Sequence, residues 1–434
     1  MSKTYQKKAA PAKRAEGLAL PPSVTVAVDE LAGQLREGLL AMAVGAGLQV
    51  AQLLMAESVM ALCGPRGRHD PERTAVRHGS ERGSMTLGGR RVPVRRPRVR
   101  TADGAAELPV PAYELFASTE ILDAMALERM LGRLSTRRYG LGLEPVGSEV
   151  AASATGTSKS AVSRRFVAAT ERALAEMTTA DLSELDLVAL MVDGVHFAEH
   201  CCVVALGIGA DGTKHPLALA EGSTENAALV TDLLVGLRDR GLDVRRPLLV
   251  VIDGSKALRR AVRDVFEHPV VQRCQLHKVR NVRDRLPQRL RAVVERRMRA
   301  AYHAASALEA QARLEALARD LDKTHPGAAA SLREGMTETL TVLALGVPPT
   351  LARTLRSTNA IESMISICRD HAGNVKHWQN GQMALRWCAA GMAEAAKQFR
   401  RVNGHLHLAA LRHALEQHVA AETVAPKRYS DNVA

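Results

Sequence analysis

Apolar residues recur at helical spacing over residues 23–63, with Val28, Leu31, Leu35 and Leu39 on one stripe, which predicts a long N-terminal helix. Residues 38–56 carry no charge over a run of 19, nearly the length that crosses a bilayer. The run also contains Gly38, Gly45, Gly47, Gln49, Gln52 and many alanines. It therefore fits an amphipathic or buried helix better than a membrane span, and no membrane partner is expected. The texture then changes. RRVPVRRPRVR at 90–100 alternates Val with Arg around Pro93 and Pro97, which break helices, and reads as an extended strand.

Helical texture returns over 120–180. Residues 149–174 read as a short Ala-rich helix, a turn at Thr155-Gly156-Thr157 and a second helix from Ser158. Lys159, Ser160, Ser163 and Arg164 lead that second helix. This is the layout of a helix-turn-helix, which offers such residues to the major groove; an ordinary helical hairpin with a solvated face gives the same pattern. From 187 the texture is α/β. Apolar runs at 187–192, 201–208, 217–220, 247–252 and 270–274 predict strands, and 226–240 and 255–266 predict helices between them. Asp211-Gly212 closes a hairpin. An Ala/Leu/Arg-rich helical stretch over 277–345 follows, interrupted near Pro326-Gly327.

The order β-β-β-α-β-α-β with helices behind it suggests the fold class: an α/β ribonuclease-H-like catalytic core with a helical insertion, preceded by a mostly helical DNA-binding N-terminal region. The expected organisation is a basic tail (1–22), a helical and basic DNA-binding region (23–130) and a helix-turn-helix (131–180). A first core part (181–275), the helical insertion (276–350), a second core part (351–418) and a tail (419–434) follow.

Charge sharpens the picture. Lys and Arg number 59 against 46 Asp and Glu, for a formal net charge of +13, which favours a polyanionic partner. Residues 64–100 hold 11 Arg against 3 acids, among them Arg95, Arg96 and Arg98. Residues 273–300 hold 10 basic residues against 2 acidic, including Lys278 and Arg280, and read as a phosphate track or as a solvated basic face. Aromatics make up only 3% of the chain, so base stacking is not expected as the main binding mode. Six cysteines without a Cys-x-x-Cys exclude a four-thiolate zinc site, and reduced thiols point to a cytoplasmic protein. The N-terminal MSKTYQKKAAPAKR is basic but has no apolar segment with a cleavage site, so no secretory signal is expected.

Asp193 and Asp253 each follow an apolar strand and precede a glycine. Either alone reads as a turn. If their strands are parallel neighbours, both carboxylates emerge at one sheet edge, where two hard oxygen ligands suit Mg²⁺. Glu362, near the start of a helix capped by Ser357, Thr358 or Asn359, is the candidate third carboxylate. Asp193 in MVDGVH, Asp253 in VIDGSKAL, Cys274 and His277 in QRCQLHKVRN, Glu362 in STNAIES and the block NVKHWQNGQMALRW together resemble the Mutator-type DDE transposases of bacterial insertion sequences. The resemblance implies a ribonuclease-H-like domain, dependence on Mg²⁺ (or Mn²⁺ as substitute), and strand cleavage and transfer at the element's terminal inverted repeats. It further implies Asp193, Asp253 and Glu362 as catalytic and metal-binding residues. Double-stranded DNA, as element ends and target, is the expected partner, with at least a homodimer on DNA and a nucleoid-associated location.

Two further positions stay open at this stage. Cys274 and His277 fit either half of a zinc site, whose other half is missing from the sequence, or a packing and DNA-positioning role in which His277 faces DNA. Trp378 fits either stacking on an unpaired base or burial. GIGADG at 207–212 imitates a dinucleotide fingerprint, but a strand rather than a helix follows it. A non-enzymatic helix-turn-helix regulator and a ribonuclease-H-like nuclease or resolvase are the competing functions. The regulator leaves the carboxylates unexplained.

Overall fold

The computed structural model describes residues 22–68, 70–144, 146–224 and 226–424, so the expected N-terminal tail lies outside the described residues except for Pro22, whereas the first six residues of the expected C-terminal tail, 419–424, are described and helical. The chain forms two compact units.

In the first unit, helix α1 (Pro22–Cys63) is followed by a three-stranded antiparallel sheet of β1 (Ala75–Leu87), β2 (Arg90–Thr101) and β3 (Glu107–Leu108), then helix α2 (Pro111–Ala117). The N-terminal region was expected to be mostly helical; the long β1–β2 hairpin corrects that. Pro93 and Pro97 are tolerated in β2 for a definite reason. Arg91 directs its N–H away from β1, to the Thr155 carbonyl at 2.9 Å. Residues of the same parity face that same edge, where a missing donor breaks no β1–β2 hydrogen bond. Val59 and Cys63 of α1 join Ala75, Val99 and Val110 in a small core. Ala51, Met55, Val59 and Cys63, spaced four apart, are buried, whereas Leu39, Met42, Val50, Leu53, Leu54 and Met60 are exposed. The stretch Met42–Cys63 is long and apolar enough to cross a membrane by composition alone. Side chains of Val28, Leu31 and Leu35 lie outside those described.

Helix α3 (Glu120–Leu131) lies in the second unit from Asp123 on, α4 (Ser148–Ser153) belongs to the first, and α5 (Lys159–Thr179) to the second. The two helices of the expected helix-turn-helix thus belong to different compact units.

The rest of the second unit runs β4 (Leu187–Phe197), β5 (His200–Gly209), β6 (Lys214–Gly222), α6 (Ala227–Asp239), β7 (Leu248–Ile252), α7 (Lys256–Val265) and β8 (Pro269–Arg273). The elements follow the expected order, and the strands lie side by side as β6-β5-β4-β7-β8. β5 is antiparallel to β4 and β6; β4, β7 and β8 are parallel. Alternation decides which side chains face which layer. Leu190, Val192, Leu248, Val250 and Ile252 pack with Leu233, Leu234, Leu237, Leu258 and Val262 of α6 and α7. Met191, Leu249 and Val251, of opposite parity, face the other side of the sheet.

Five helices form the insertion: α8 (Gln275–Asp284), α9 (Gln288–Tyr302), α10 (Ala307–Asp322), α11 (Pro326–Arg333) and α12 (Thr341–Ala344). They build their own core, including Val282, Met298, Leu314, Leu317 and Leu332. After α13 (Pro349–Leu355) the chain returns to the sheet with α14 (Asn359–His371) and α15 (Gly381–Lys397), and α16 (Leu408–Val424) ends the described chain. α14 packs on β4, and α15 on β5, β6 and α5. All six cysteines are buried.

α14 and α15 approach closely at Gly391, where an added Cβ would stand 2.8 Å from the Cα of Cys368. Gly391→Ala should therefore wedge the pair apart and cost about 1–3 kcal/mol. Thermal unfolding followed by circular dichroism should show a lower midpoint; an unchanged midpoint would contradict the contact.

Candidate active site

Parallel pairing of β4 with β7 ends at Met191 opposite Val251. Asp193 and Asp253 therefore each stand two residues beyond the last pair, on adjacent strands about 4.8 Å apart. Both share the parity of Met191 and Val251, so both lie on the face that α14 covers. Asp193 was expected to end its strand. Instead β4 continues to Phe197, because its other edge stays paired to β5, with Asp193 opposite Val204. Asp253 does end β7. Its Oδ1 accepts the Ser255 N–H at 2.7 Å, and Gly254 takes φ +111°, a backbone state open to glycine. Ser255 then caps α7 by accepting from the Leu258 N–H.

Glu362 sits in the first turn of α14. Thr358 holds the cap position but makes no side-chain cap bond, contrary to the capping expected there. Its hydroxyl lies 2.5 Å from Glu362 Oε1, which accepts from it, and 3.4 Å from Cys274 Sγ. Cys274 in turn caps α8, accepting the His277 N–H at 3.5 Å. His277 Nδ1 is 3.9 Å from Glu362 Oε1. Ligand atoms of Cys274, His277 and Glu362 lie within 4.8 Å of one another.

These groups form one electrostatic cluster. Burial pushes Asp193 up to about 6, and the charges of Asp253 and Glu362 add to it, against the Gly194 N–H and His277. His277 is raised to about 9, chiefly by the Cys274 sulfur and against the pull of burial, with Glu362 and Asp193 contributing. Burial raises the Cys274 thiol, but hydrogen bonds from His277 and Thr358 outweigh it and leave the thiol below its ordinary value. Asp193 is thus within charge–charge reach of both other carboxylates named from the sequence, Asp253 and Glu362. Sequence reading missed Thr358 as the tether of Glu362, because a threonine before a helix signals a backbone cap first.

Other expected contact residues divide. Lys159, Ser160, Ser163 and Arg164 are all exposed on α5, opposite the buried Val162 and Phe166. Arg280 and Arg95 are exposed, and Arg95 bonds the Ser80 hydroxyl at 2.9 Å. Arg96 and Arg98 are engaged with Glu81 and Glu107. Two expectations are overturned. Lys278 is buried and donates to the carbonyls of Ser331 and Glu334 at 2.7 and 2.6 Å, which removes it from any DNA-facing surface. Trp378 is 9% exposed and packs between Phe197 and Trp387, 4.9 and 6.4 Å between ring centroids, so it cannot stack on a base without leaving that cluster.

Residues 29–402 match the family described as Transposase, Mutator family. The chain belongs to the Mutator family of transposases. It is 31% identical over 237 residues to the transposase for insertion sequence element IS6120 of Mycolicibacterium smegmatis, covering 53% of this chain and 72% of that one. Against the transposase for insertion sequence element ISRM5 of Rhizobium meliloti (strain 1021) it is 26% identical over 363 residues, covering 83% and 89%. The transposase for insertion sequence element IS256 in transposon Tn4001 of Staphylococcus aureus is 28% identical over 203 residues, covering 44% and 48%.

In this transposase the charged form of Asp193 opposes folding when no cation balances it. Its folded value lies above the ordinary 3.8, so the penalty is absent below that pH, grows up to about 6 and is complete above. The full penalty is on the order of 3 kcal/mol. Asp193→Asn should raise the melting midpoint at pH 8 in EDTA, with the gain vanishing near pH 4. Equal midpoints at pH 8 would contradict the buried, repelled carboxylate.

Proposed function

We propose that this transposase binds the terminal inverted repeats of its insertion sequence and catalyses Mg²⁺-dependent DNA strand cleavage and strand transfer. The observation that carries the reading is that Asp193 and Asp253 emerge side by side on the face of the sheet that α14 covers, with Asp193 within reach of the charges of both Asp253 and Glu362. The strand order β6-β5-β4-β7-β8, with β5 reversed, supports a ribonuclease-H-like core. The donor set also fits the ion. Three carboxylates offer hard oxygens, which suit Mg²⁺, with Mn²⁺ as a substitute. A carboxyl pushed up to about 6 by burial and by its acidic neighbours is one that a divalent cation would relieve.

Asp193, Asp253 and Glu362 would hold the metal; when bound, it supplies charge stabilisation and activation of the attacking oxygen in phosphoryl transfer. The protein's own residues prepare the site. The strand pair fixes the two aspartates, Thr358 holds one oxygen of Glu362 by a hydrogen bond, and His277 places a positive charge beside the acids. His277 borders this centre, while the exposed Arg280 of α8, the exposed face of α5, with Lys159, Ser160, Ser163 and Arg164, and the arginines of β2 are the candidate duplex contacts. Two element ends must meet for transposition, so the working form on DNA is at least a dimer, acting at the nucleoid in the cytoplasm.

The test is a supercoiled plasmid carrying the DNA that flanks the gene, incubated with protein and Mg²⁺. Asp193→Asn, Asp253→Asn and Glu362→Gln should each lower cleavage roughly a thousandfold or more, a loss of several kcal/mol, with end binding nearly intact. EDTA should stop the reaction and Mn²⁺ restore it. Wild-type cleavage by Asp253→Asn would sink the assignment. Binding without nicking would favour the regulator, and nicking without joining a nuclease or resolvase. Binding should also weaken steeply with salt, by roughly 10³–10⁵ between about 50 and 200 mM if 6–10 phosphates are contacted.

A further inference from the structure

Two clefts lie beside the start of α14 and share Arg353 and Asn359. Arg299 and Arg356 complete the charged lining of the first; Lys214, Arg400 and Arg401 that of the second. No acidic side chain lines either cleft. The acids that reach these cations from neighbouring elements are Glu295, 2.7 Å from Arg299, and Asp211, which feels the charge of Arg401. Among the described residues, six cations therefore face two acids. Burial and the charges of Arg353 and Arg299 hold the Arg356 guanidinium below its ordinary value. Lys214 lies over the Phe399 ring at 4.6 Å.

Like charges converging at a partly buried surface repel each other unless an anion joins them. The basic face of α7 differs in kind. There Glu338 stands 2.5 Å from Arg259, 3.7 Å from Arg263 and 2.7 Å from Arg273, so much of that charge is already answered. The clefts also lie near Glu362. Asn359 opens α14, Glu362 follows one turn on, and Thr358, between Arg356 and Asn359 in sequence, donates to Glu362.

We infer that the paired clefts are a phosphate track for the backbone of the DNA strand that enters the Glu362 site, with Arg353 as the cation common to both. A lone phosphate would occupy one cleft, whereas a continuous polyanion uses both. The inference rests on the DNA-processing reading above. Arg353, Arg400 and Arg401 are exposed, so replacing them leaves the core untouched.

The experiment measures binding of the full chain to a fluorescein-labelled duplex of the flanking DNA by anisotropy, across about 50 to 200 mM salt. The variant Arg353→Gln/Arg400→Gln/Arg401→Gln is compared with Arg245→Gln/Arg313→Gln/Arg319→Gln, an equal loss of exposed charge elsewhere. The first should flatten the log–log salt slope by about 2–3 and weaken binding roughly tenfold or more at low salt, since each lost phosphate contact removes about 0.9. The second should follow the wild type. Arg353→Lys, which keeps the charge, should preserve the slope. A first variant that keeps the wild-type slope, or a control that loses as much, overturns the track alone. Wild-type protein with no salt-dependent DNA binding overturns the broader reading and the track with it.

Discussion

A carboxylate set within reach of two others resists being charged, and the architecture of the second unit reads as the means of overcoming that resistance at Asp193. Two of the acids are fixed by a parallel ladder whose register ends two residues before both. A strand pair is a rigid support, since neither aspartate can swing away without disturbing the fully buried Leu190, Val192, Val250 and Ile252 beneath it. The third acid arrives on a helix set against β4 and backed by α15 at a contact that only glycine permits. The aromatic group of Phe166, Phe197, Trp378 and Trp387 then joins α5, α15, the end of β4 and the loop before α15 on this same side.

The helical insertion has a core of its own, yet its attachment to the sheet is polar and buried. β8 would be a bare edge strand, a liability for unwanted pairing. Here Gln272 donates to the Thr339 carbonyl at 3.0 Å and accepts the Val342 N–H at 2.8 Å. Gln275 donates to the same Thr339 carbonyl at 2.9 Å, and the Thr341 hydroxyl to the Val271 carbonyl at 2.7 Å. The Lys278 ammonium, pulled down to about 8 chiefly by burial, closes the last turn of α11. Directional bonds of this kind fix orientation more than they add stability. Their effect is to set α8, and with it Cys274 and His277, at one distance from Glu362.

Much of this was readable in the chain and some was not, for physical reasons. The five core strands and the two helices between them came from apolar runs with hard boundaries at Asp-Gly and Pro, and these have local causes. Asp193 and Asp253 were legible because strand ends are local too. The continuation of β4 past Asp193 was not, since it depends on β5 pairing, which no local pattern of MVDGVHF reveals. Thr358, Cys274 and Glu362 meet across 84 residues of separation, and only the fold brings them together. Lys278 and Trp378 show the opposite error. Their residue types suggested surface chemistry, while tertiary packing gave one a pair of carbonyls and the other a ring cluster.

Charge counted along a sequence window is a poor guide to charge offered to a ligand, and residues 273–300 show why. Of the 10 basic residues there, Lys278 is buried, Arg273 is held by Glu338, Arg283 and Arg299 share Glu295, and Arg297 pairs with Asp320. Exposed pairs of this sort contribute little to stability, but each answers charge that a phosphate would otherwise see. Field at a surface is set by the cations left unanswered after such pairing. By that measure, Lys214, Arg353, Arg356, Arg400 and Arg401, far apart in sequence, form a group of cations around two adjoining clefts that no sequence window reveals. A net charge of +13 says that a polyanion is favoured; only the folded arrangement of acids decides where along the surface it would lie.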